Sequence, residues 1–164
     1  MESINDFIIC ECKLNPQFIG FGSVHPDFVN IDDELKRIKA AGIMGVKLHP
    51  DFQKFLIDDK AVFPMWKAIC DNDMFALVHT GDKRLPFSDP RRMVAVLEEL
   101  PKLKVIAAHF GGYQVWERAY EAYKPGTCYF DISSSIMFME KELVFKFFDK
   151  FGIENFFWGT DFPS

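Results

Sequence analysis

Residues 75–79 (Phe-Ala-Leu-Val-His) and 104–109 (Lys-Val-Ile-Ala-Ala-His) are short apolar runs that each end in a histidine. Four more runs share this form, at residues 18–25, 42–49, 128–131 and 156–161, and end in His25, His49, Asp131 and Asp161. The six polar ends recur every 22 to 30 residues, with helix-like stretches between them. This alternation predicts a parallel sheet whose polar ends share one rim, where barrels of alternating strands and helices keep their active sites.

The predicted elements alternate along the whole chain. Strands are expected at residues 18–24, 44–48, 75–79, 104–108, 128–132 and 155–159. Helices are expected at 33–41, 60–72, 88–101, 113–123 and 140–151, after a helical tail over the first dozen residues. A complete eight-stranded barrel usually needs about 250 residues. The prediction is therefore α/β: a partial (β/α)8 barrel of six parallel strands, without its first two βα units and its last helix, forming one domain over residues 1–164.

The composition limits the kinds of binding partner that are expected for this chain. The net charge of -5 is spread over interspersed signs, so no basic surface for nucleic acid is expected. No apolar run reaches the roughly 18 residues that cross a bilayer, and the first sixteen residues do not have the form of a signal peptide. These features predict a cytoplasmic protein with a small-molecule substrate and no membrane partner. The open edges of a six-stranded sheet favour a homo-oligomer.

Several motifs at the strand ends resemble one family. They are His79-Thr80-Gly81, His109-Phe110-Gly111-Gly112 and Gly159-Thr160-Asp161-Phe162-Pro163, with residues 45–50 and 20–22 in support. In this order they resemble the amidohydrolase-related (amidohydrolase 2) family of metal-dependent TIM-barrel enzymes, a group that includes nonoxidative decarboxylases of aromatic acids. The resemblance covers nearly the whole chain and aligns it with barrel strands three to eight.

The resemblance implies roles for three residues. His79 matches a metal-binding histidine, and Asp161 matches the aspartate that touches the metal and takes a proton from its water. His109 matches the histidine that polarises the substrate or shuttles a proton. Imidazole and carboxylate groups suit a divalent metal, with zinc the favoured ion, and a bound zinc lowers the pKa of its water to roughly 7.

The sequence also departs from the family pattern. The family supplies two more ligands from a His-x-His pair on its first strand, and this sequence contains no such pair. A catalytic zinc normally has three protein ligands, so His79 and Asp161 alone are too few. Either the chain is part of a longer polypeptide or it has lost the metal, and the first is favoured because it begins within a helix and ends after its last strand.

Five other polar residues are expected near the rim. His25 and His49 precede prolines, which favour extended backbone. Both are predicted to line the mouth and contact substrate, or to form hydrogen bonds within the mouth. Arg84 could clamp a substrate carboxylate or be a solvated loop charge. Lys47 shares a strand face with His49 and is expected to be salt-bridged rather than to bridge metals. Asp131 is expected to hold its loop through backbone N–H groups rather than to act in catalysis.

These observations predict a metal-dependent hydrolase whose activated water attacks a C–N or C–O bond of a small molecule. A metal-dependent nonoxidative decarboxylase of an aromatic or unsaturated acid is one alternative, because His109 and Asp161 fit either reaction. An inactive fragment without the His-x-His ligands is the other.

Overall fold

Six parallel strands form a single sheet in the computed structural model, which describes residues 1–161. The strands lie in chain order across the sheet. They are β1 (Phe21–Gly22), β2 (Gly45–Leu48), β3 (Phe75–Val78), β4 (Lys104–Ala107), β5 (Tyr129–Asp131) and β6 (Phe156–Phe157). The parallel order and the intervening helices confirm the predicted partial barrel. Phe162 and Pro163, the end of the last predicted motif, lie outside the described residues.

Helices connect the strands. They are α1 (Glu2–Leu14), α2 (Ile31–Ala40), α3 (Pro50–Gln53), α4 (Phe63–Asp71), α5 (Pro90–Glu99), α6 (Trp116–Ala122) and α7 (Lys141–Phe151), with a 3-10 turn at Ile153–Asn155. The predicted start of α5 is confirmed: the Asp89 side chain accepts a hydrogen bond from the Arg91 backbone N–H, and Pro90 occupies the first turn. Within residues 1–161, no helix has the length and apolarity needed to cross a bilayer.

The boundaries differ from prediction at the sheet edges and after β2. The expected strands 18–24 and 155–159 shorten to β1 and β6, each of which pairs with one strand only. An edge strand makes hydrogen bonds on one side, so fewer of its residues are held in the ladder. The short helix α3 was not predicted. Pro50 occupies its first turn, and His49 caps it by accepting a 3.4 Å hydrogen bond from the Phe52 N–H.

The sheet has two different faces because side chains alternate along a strand. In β3, Ala76 and Val78 are fully buried against the helices, whereas Phe75 and Leu77 are only partly covered. These two residues line a cleft of about 710 Å³ on the concave face. The cleft also contains Lys47, Asp131 and Asp161, together with Ile19, Phe21, Met44, Ile106, Ser133, Phe157, Trp158 and Gly159. The helices therefore cover the face of the sheet that carries the core. The opposite face carries the cleft, and the polar strand ends border it.

Candidate functional site

Two buried histidines face each other at the carboxyl ends of neighbouring strands. His79 directly follows β3 and His109 follows β4, and these strands pair along their length. The Nδ1 atom of His79 lies 3.1 Å from Nε2 of His109. The rings are edge-on, with centroids 4.9 Å apart. The structure therefore brings together two of the three residues for which the sequence predicts roles.

The backbone around this pair favours one placement of the ring hydrogens. The Nε2 atom of His79 lies 3.0 Å from the Gly81 carbonyl oxygen, and Nδ1 of His109 lies 3.0 Å from the Ser133 carbonyl oxygen. Carbonyl oxygens can only accept, so they favour hydrogen on both of these outer nitrogens. With hydrogen on the outer nitrogens, the two inner nitrogens face each other as acceptors. A cation between two lone pairs at 3.1 Å would stabilise this arrangement.

The glycine after His79 allows this geometry. Gly81 has φ +86°, and a Cβ there would lie 2.4 Å from the Tyr113 nitrogen and 2.5 Å from the Gly112 carbonyl carbon. The Tyr113 N–H donates a 2.7 Å hydrogen bond to the Thr80 carbonyl oxygen. The loops that follow the two histidines are thus in direct backbone contact, and only glycine fits at this position.

Asp131 holds the loop that carries His109. His109 and Phe110 both have left-handed backbone conformations, with φ +61° and +56°. The Oδ1 atom of Asp131 accepts hydrogen bonds from the His109 N–H at 3.1 Å, the Ser133 N–H at 2.9 Å and the Ser133 hydroxyl at 2.6 Å. The prediction that Asp131 anchors backbone N–H groups is confirmed. Its hydrogen bonds offset the strain that such conformations cost.

Asp161 and Lys47 lie in the concave cleft beside this pair. Asp161 has φ +59°, and its Oδ2 atom accepts a 2.9 Å hydrogen bond from the Ser134 hydroxyl. Burial lowers the pKa of Lys47, while the charges of Asp131 and Asp161 oppose that shift. Lys47 and the two aspartates therefore form a mixed-charge group in an otherwise mainly apolar cleft. That Asp161 shares an ion with His79 stays a prediction.

His49 stacks on His79. The ring centroids are 3.9 Å apart and the planes differ by 10°, and Phe52 covers the other face of His49 at 3.9 Å. Burial, with the neighbouring charge of Lys47, lowers the pKa of His49 to about 4. Burial and the adjacent histidines His49 and His109 lower the pKa of His79 to about 3. Both rings are therefore neutral at pH 7, as a metal ligand must be.

Sequence reasoning missed Asp51. This carboxylate is only 2% exposed, and its Oδ2 atom lies 3.8 Å from His79 Nε2 and accepts a hydrogen bond from the Ser88 hydroxyl. Among residues 1–161, His49, Asp51 and His79 form a cluster with one ligand atom each within 4.8 Å of the others. The adjacency of His49, Pro50 and Asp51 was the available signal, since a proline-started turn can bring the carboxylate back toward the strand end.

The stacking limits how this cluster can hold an ion. A zinc ion lies close to the plane of a ligating imidazole, about 2 Å from its nitrogen. The rings of His49 and His79 lie in separate, nearly parallel planes, so both planes cannot contain one ion. In this arrangement His79 can ligate with His109 but not jointly with His49.

The remaining predicted residues lie outside this network. The Nδ1 atom of His25 accepts from the Asp27 N–H at 3.1 Å, and its Nε2 atom lies 3.0 Å from the Gln53 carbonyl oxygen. Arg84 pairs with Asp82, Nη2 to Oδ2 at 3.0 Å, and its side chain is 74% exposed. The substrate contacts predicted for His25, His49 and Arg84 remain predictions.

A parallel α/β fold with polar side chains at the carboxyl ends of its strands is typical of TIM barrels, whose active sites lie at that end. A model of the amidohydrolase family matches residues 2–164. The chain therefore belongs to the amidohydrolase family. A search of curated proteins gave no significant match.

Solved structures share the fold at low sequence identity. An uncharacterised TIM-barrel protein from Bordetella bronchiseptica has a TM-score of 0.79 at 21% identity, over 97% of this chain and 59% of its own. A manganese complex of 5-carboxyvanillate decarboxylase from Novosphingobium aromaticivorans has a TM-score of 0.74 at 16% identity, over 97% and 58%. A Pseudomonas putida protein described as a 2-pyrone-4,6-dicarboxylic acid hydrolase has a TM-score of 0.69 at 15% identity, over 97% and 62%. The chain thus spans about 60% of the length of these structures.

Proposed function

We propose that this chain carries part of the active site of a metal-dependent hydrolase that acts on a C–N or C–O bond of a small molecule. The observation that carries the proposal is the pair of facing nitrogens, His79 Nδ1 and His109 Nε2, which lie 3.1 Å apart. Two zinc ligands at a tetrahedral angle are about 3.3 Å apart. The pair therefore fits two neighbouring positions around a divalent cation. Zinc is the ion we favour, and a manganese complex of a similar structure makes manganese the second choice.

The surrounding residues suit the chemistry of such a site. When bound, the cation acts as a Lewis acid and lowers the pKa of a water molecule that it holds. Asp161, held by Ser134 at the rim of the cleft, is the residue we propose for accepting a proton. His109 is proposed to hold the cation together with His79. Orienting or protonating the substrate, the role that the sequence predicts for His109, is the alternative if its Nε2 atom does not ligate. The Ser133 carbonyl and the Asp131 network keep the His109 ring in place for either role.

A decarboxylase is the second candidate, and the cleft favours it. Its walls are mostly apolar and include Phe75, Leu77 and Ile106, and Lys47 adds a cationic group that can attract a carboxylate. This combination suits a flat organic acid. A structure similar to this chain is that of 5-carboxyvanillate decarboxylase, although the identity of 16% supports only the fold.

Metal binding tests the proposal directly. We expect the metal-free protein to bind one equivalent of zinc or manganese in isothermal titration calorimetry. His79→Ala should weaken binding by at least about 100-fold, since each lost ligand removes a strong bond. His25→Ala is the matched control, because that histidine also follows a strand but uses both nitrogens on backbone groups, and it should bind normally. Equal affinity in His79→Ala and His25→Ala would contradict the proposed site.

Product analysis separates the two reactions. The metal-loaded protein would be offered a panel of esters, lactones, amides and aromatic acids. Release of CO2 from an acid without consumption of water indicates the decarboxylase, whereas formation of a new carboxylate from a lactone or amide indicates the hydrolase. A protein that binds metal yet turns over none of these compounds would favour the inactive fragment.

A further inference from the structure

Asp51 is a buried carboxylate without a complete set of partners. Its residue is 2% exposed, and the Ser88 hydroxyl donates to Oδ2. The Oδ1 atom is buried and has no hydrogen-bond partner among residues 1–161. A buried charge with one hydrogen bond costs several kcal/mol in typical proteins. An arrangement this costly calls for a compensating interaction elsewhere in the site.

The group that faces this carboxylate is the outer nitrogen of His79. Asp51 Oδ2 lies 3.8 Å from His79 Nε2, on the side where that nitrogen meets the Gly81 carbonyl oxygen at 3.0 Å. A negative charge at this distance favours hydrogen on Nε2 and disfavours it on Nδ1. Ligating histidines commonly have a carboxylate or carbonyl group on the nitrogen that does not ligate. Here both kinds of group act on one ring.

Ser88 connects this carboxylate to the loop after His79. Its hydroxyl donates to Asp51, and its carbonyl oxygen accepts a 2.7 Å hydrogen bond from the Gly81 N–H. One residue therefore holds both groups that act on His79 Nε2, the carboxylate and the Gly81 peptide. The contact joins residues 37 positions apart in the chain, so it depends on the tertiary fold of the two loops.

We infer that Asp51 is a positioning residue for His79: with Ser88 it holds the ring in the Nε2–H tautomer and so presents Nδ1 toward His109 as a ligand. The inference rests on the proposed metal site, and Asp51 acts through His79 without touching the ion. It predicts that the carboxylate strengthens metal binding only while His79 is present.

The tautomer of His79 tests the inference in the metal-free protein. Long-range 1H–15N NMR at pH 7.5 would give the ring nitrogen shifts in the wild type, Asp51→Asn and Asp71→Asn. We expect a wild-type ring with hydrogen on Nε2, and a mixture of tautomers in Asp51→Asn. Asp71→Asn is the matched control, because it removes one negative charge from an exposed ion pair with Lys67 at the end of α4 and should leave the tautomer unchanged. Identical shifts in the wild type and Asp51→Asn would overturn the inference, whatever the metal affinity.

Metal affinity then separates a positioning role from ligation. Asp51→Asn should weaken zinc binding by about 10- to 100-fold, the range for partners of ligating histidines. In His79→Ala, adding Asp51→Asn should cause less than about a twofold further loss, because the carboxylate acts through that ring. Full, independent losses in the double variant would instead make Asp51 a ligand and overturn the inference. A wild-type protein that binds no metal would refute the proposed function, and the tautomer measurement would still decide the role of Asp51.

Discussion

His25 and the pair His79–His109 occupy the same kind of position, the end of a strand, yet they have different surroundings. Both nitrogens of His25 contact backbone groups, at 3.1 Å to the Asp27 N–H and 3.0 Å to the Gln53 carbonyl oxygen. His79 and His109 each give one nitrogen to a carbonyl group and turn the other toward the neighbouring ring. A strand end therefore places a histidine where a site can form. The hydrogen-bond partners of its ring then decide whether one nitrogen can bind a ligand.

The loop after each histidine accounts for much of this difference. Pro26 follows His25 and Pro50 follows His49, and proline favours extended backbone in the residue before it. Thr80 and Gly81 follow His79, and there the chain folds back so that the Gly81 carbonyl oxygen reaches the ring. The sequence of the loop thus determines whether a histidine is enclosed by its own turn, as His25 is, or faces a histidine on the next strand, as His79 does.

Gly81→Ala should produce the largest effect, because it breaks the contact between the two histidine loops. The added Cβ would meet the backbone of Gly112 and Tyr113 at 2.4–2.7 Å, and alanine is strained at φ +86°. Strain and overlap together should cost about 3 kcal/mol or more of unfolding free energy, measured by urea denaturation. Gly42 has φ +92° with open space around it, so Gly42→Ala should cost only about 1 kcal/mol. Equal costs would show that the loop contact is unimportant.

Acid should destabilise the protein through the neutral histidines. Burial lowers the pKa of His79 to about 3 and that of His49 to about 4, whereas both titrate near 6.5 in the unfolded chain. The unfolded chain therefore binds more protons between these values, and stability falls as the pH drops from about 6.5 toward 4. Each histidine contributes a slope of up to about 1.4 kcal/mol per pH unit.

Denaturant titrations at a series of pH values would measure that slope. The wild-type protein and His25→Gln should show the same loss of stability between pH 6.5 and 4. His79→Gln should show a clearly smaller slope, because one of the two buried rings is gone. A slope in His79→Gln equal to that of the wild type would mean that the strand-end ring is not held neutral by the fold.

Asp131→Asn should have an intermediate effect, because it weakens the support of the His109 loop. The carboxylate accepts three hydrogen bonds, from the His109 N–H and from the N–H and hydroxyl of Ser133. Hydrogen bonds to a charged acceptor are stronger than neutral ones, so the variant should lose about 1–3 kcal/mol of unfolding free energy. If the loop loosens, metal affinity should fall as well. Wild-type stability in Asp131→Asn would contradict the supporting role of the carboxylate.

The fold was predictable because it depends on local patterns, whereas part of the site depends on packing. Apolar runs at a βα period predicted six parallel strands, and the same pattern placed His79 and His109 at neighbouring strand ends. Asp51 escaped prediction because its contact with His79 forms only when the unpredicted helix α3 packs beside the loop that contains Ser88. The two edge strands, β1 and β6, were predicted too long for a similar reason. Residue preferences do not show that an edge strand pairs with only one neighbouring strand.

Arg84→Ala should have the smallest effect on stability and on zinc affinity, because Arg84 lies outside the histidine network. Arg84 lies only five residues after His79 in the chain, but its side chain is 74% exposed and pairs with Asp82. Exposed ion pairs contribute little to stability, so Tm should change by less than about 3 °C, and zinc affinity should match the wild type.

Benzoate affinity tests the predicted carboxylate clamp separately. A loss of about tenfold in Arg84→Ala, with most of the affinity restored in Arg84→Lys, would support the clamp. Equal benzoate affinity in the variant and the wild type would make Arg84 a partner of Asp82 alone.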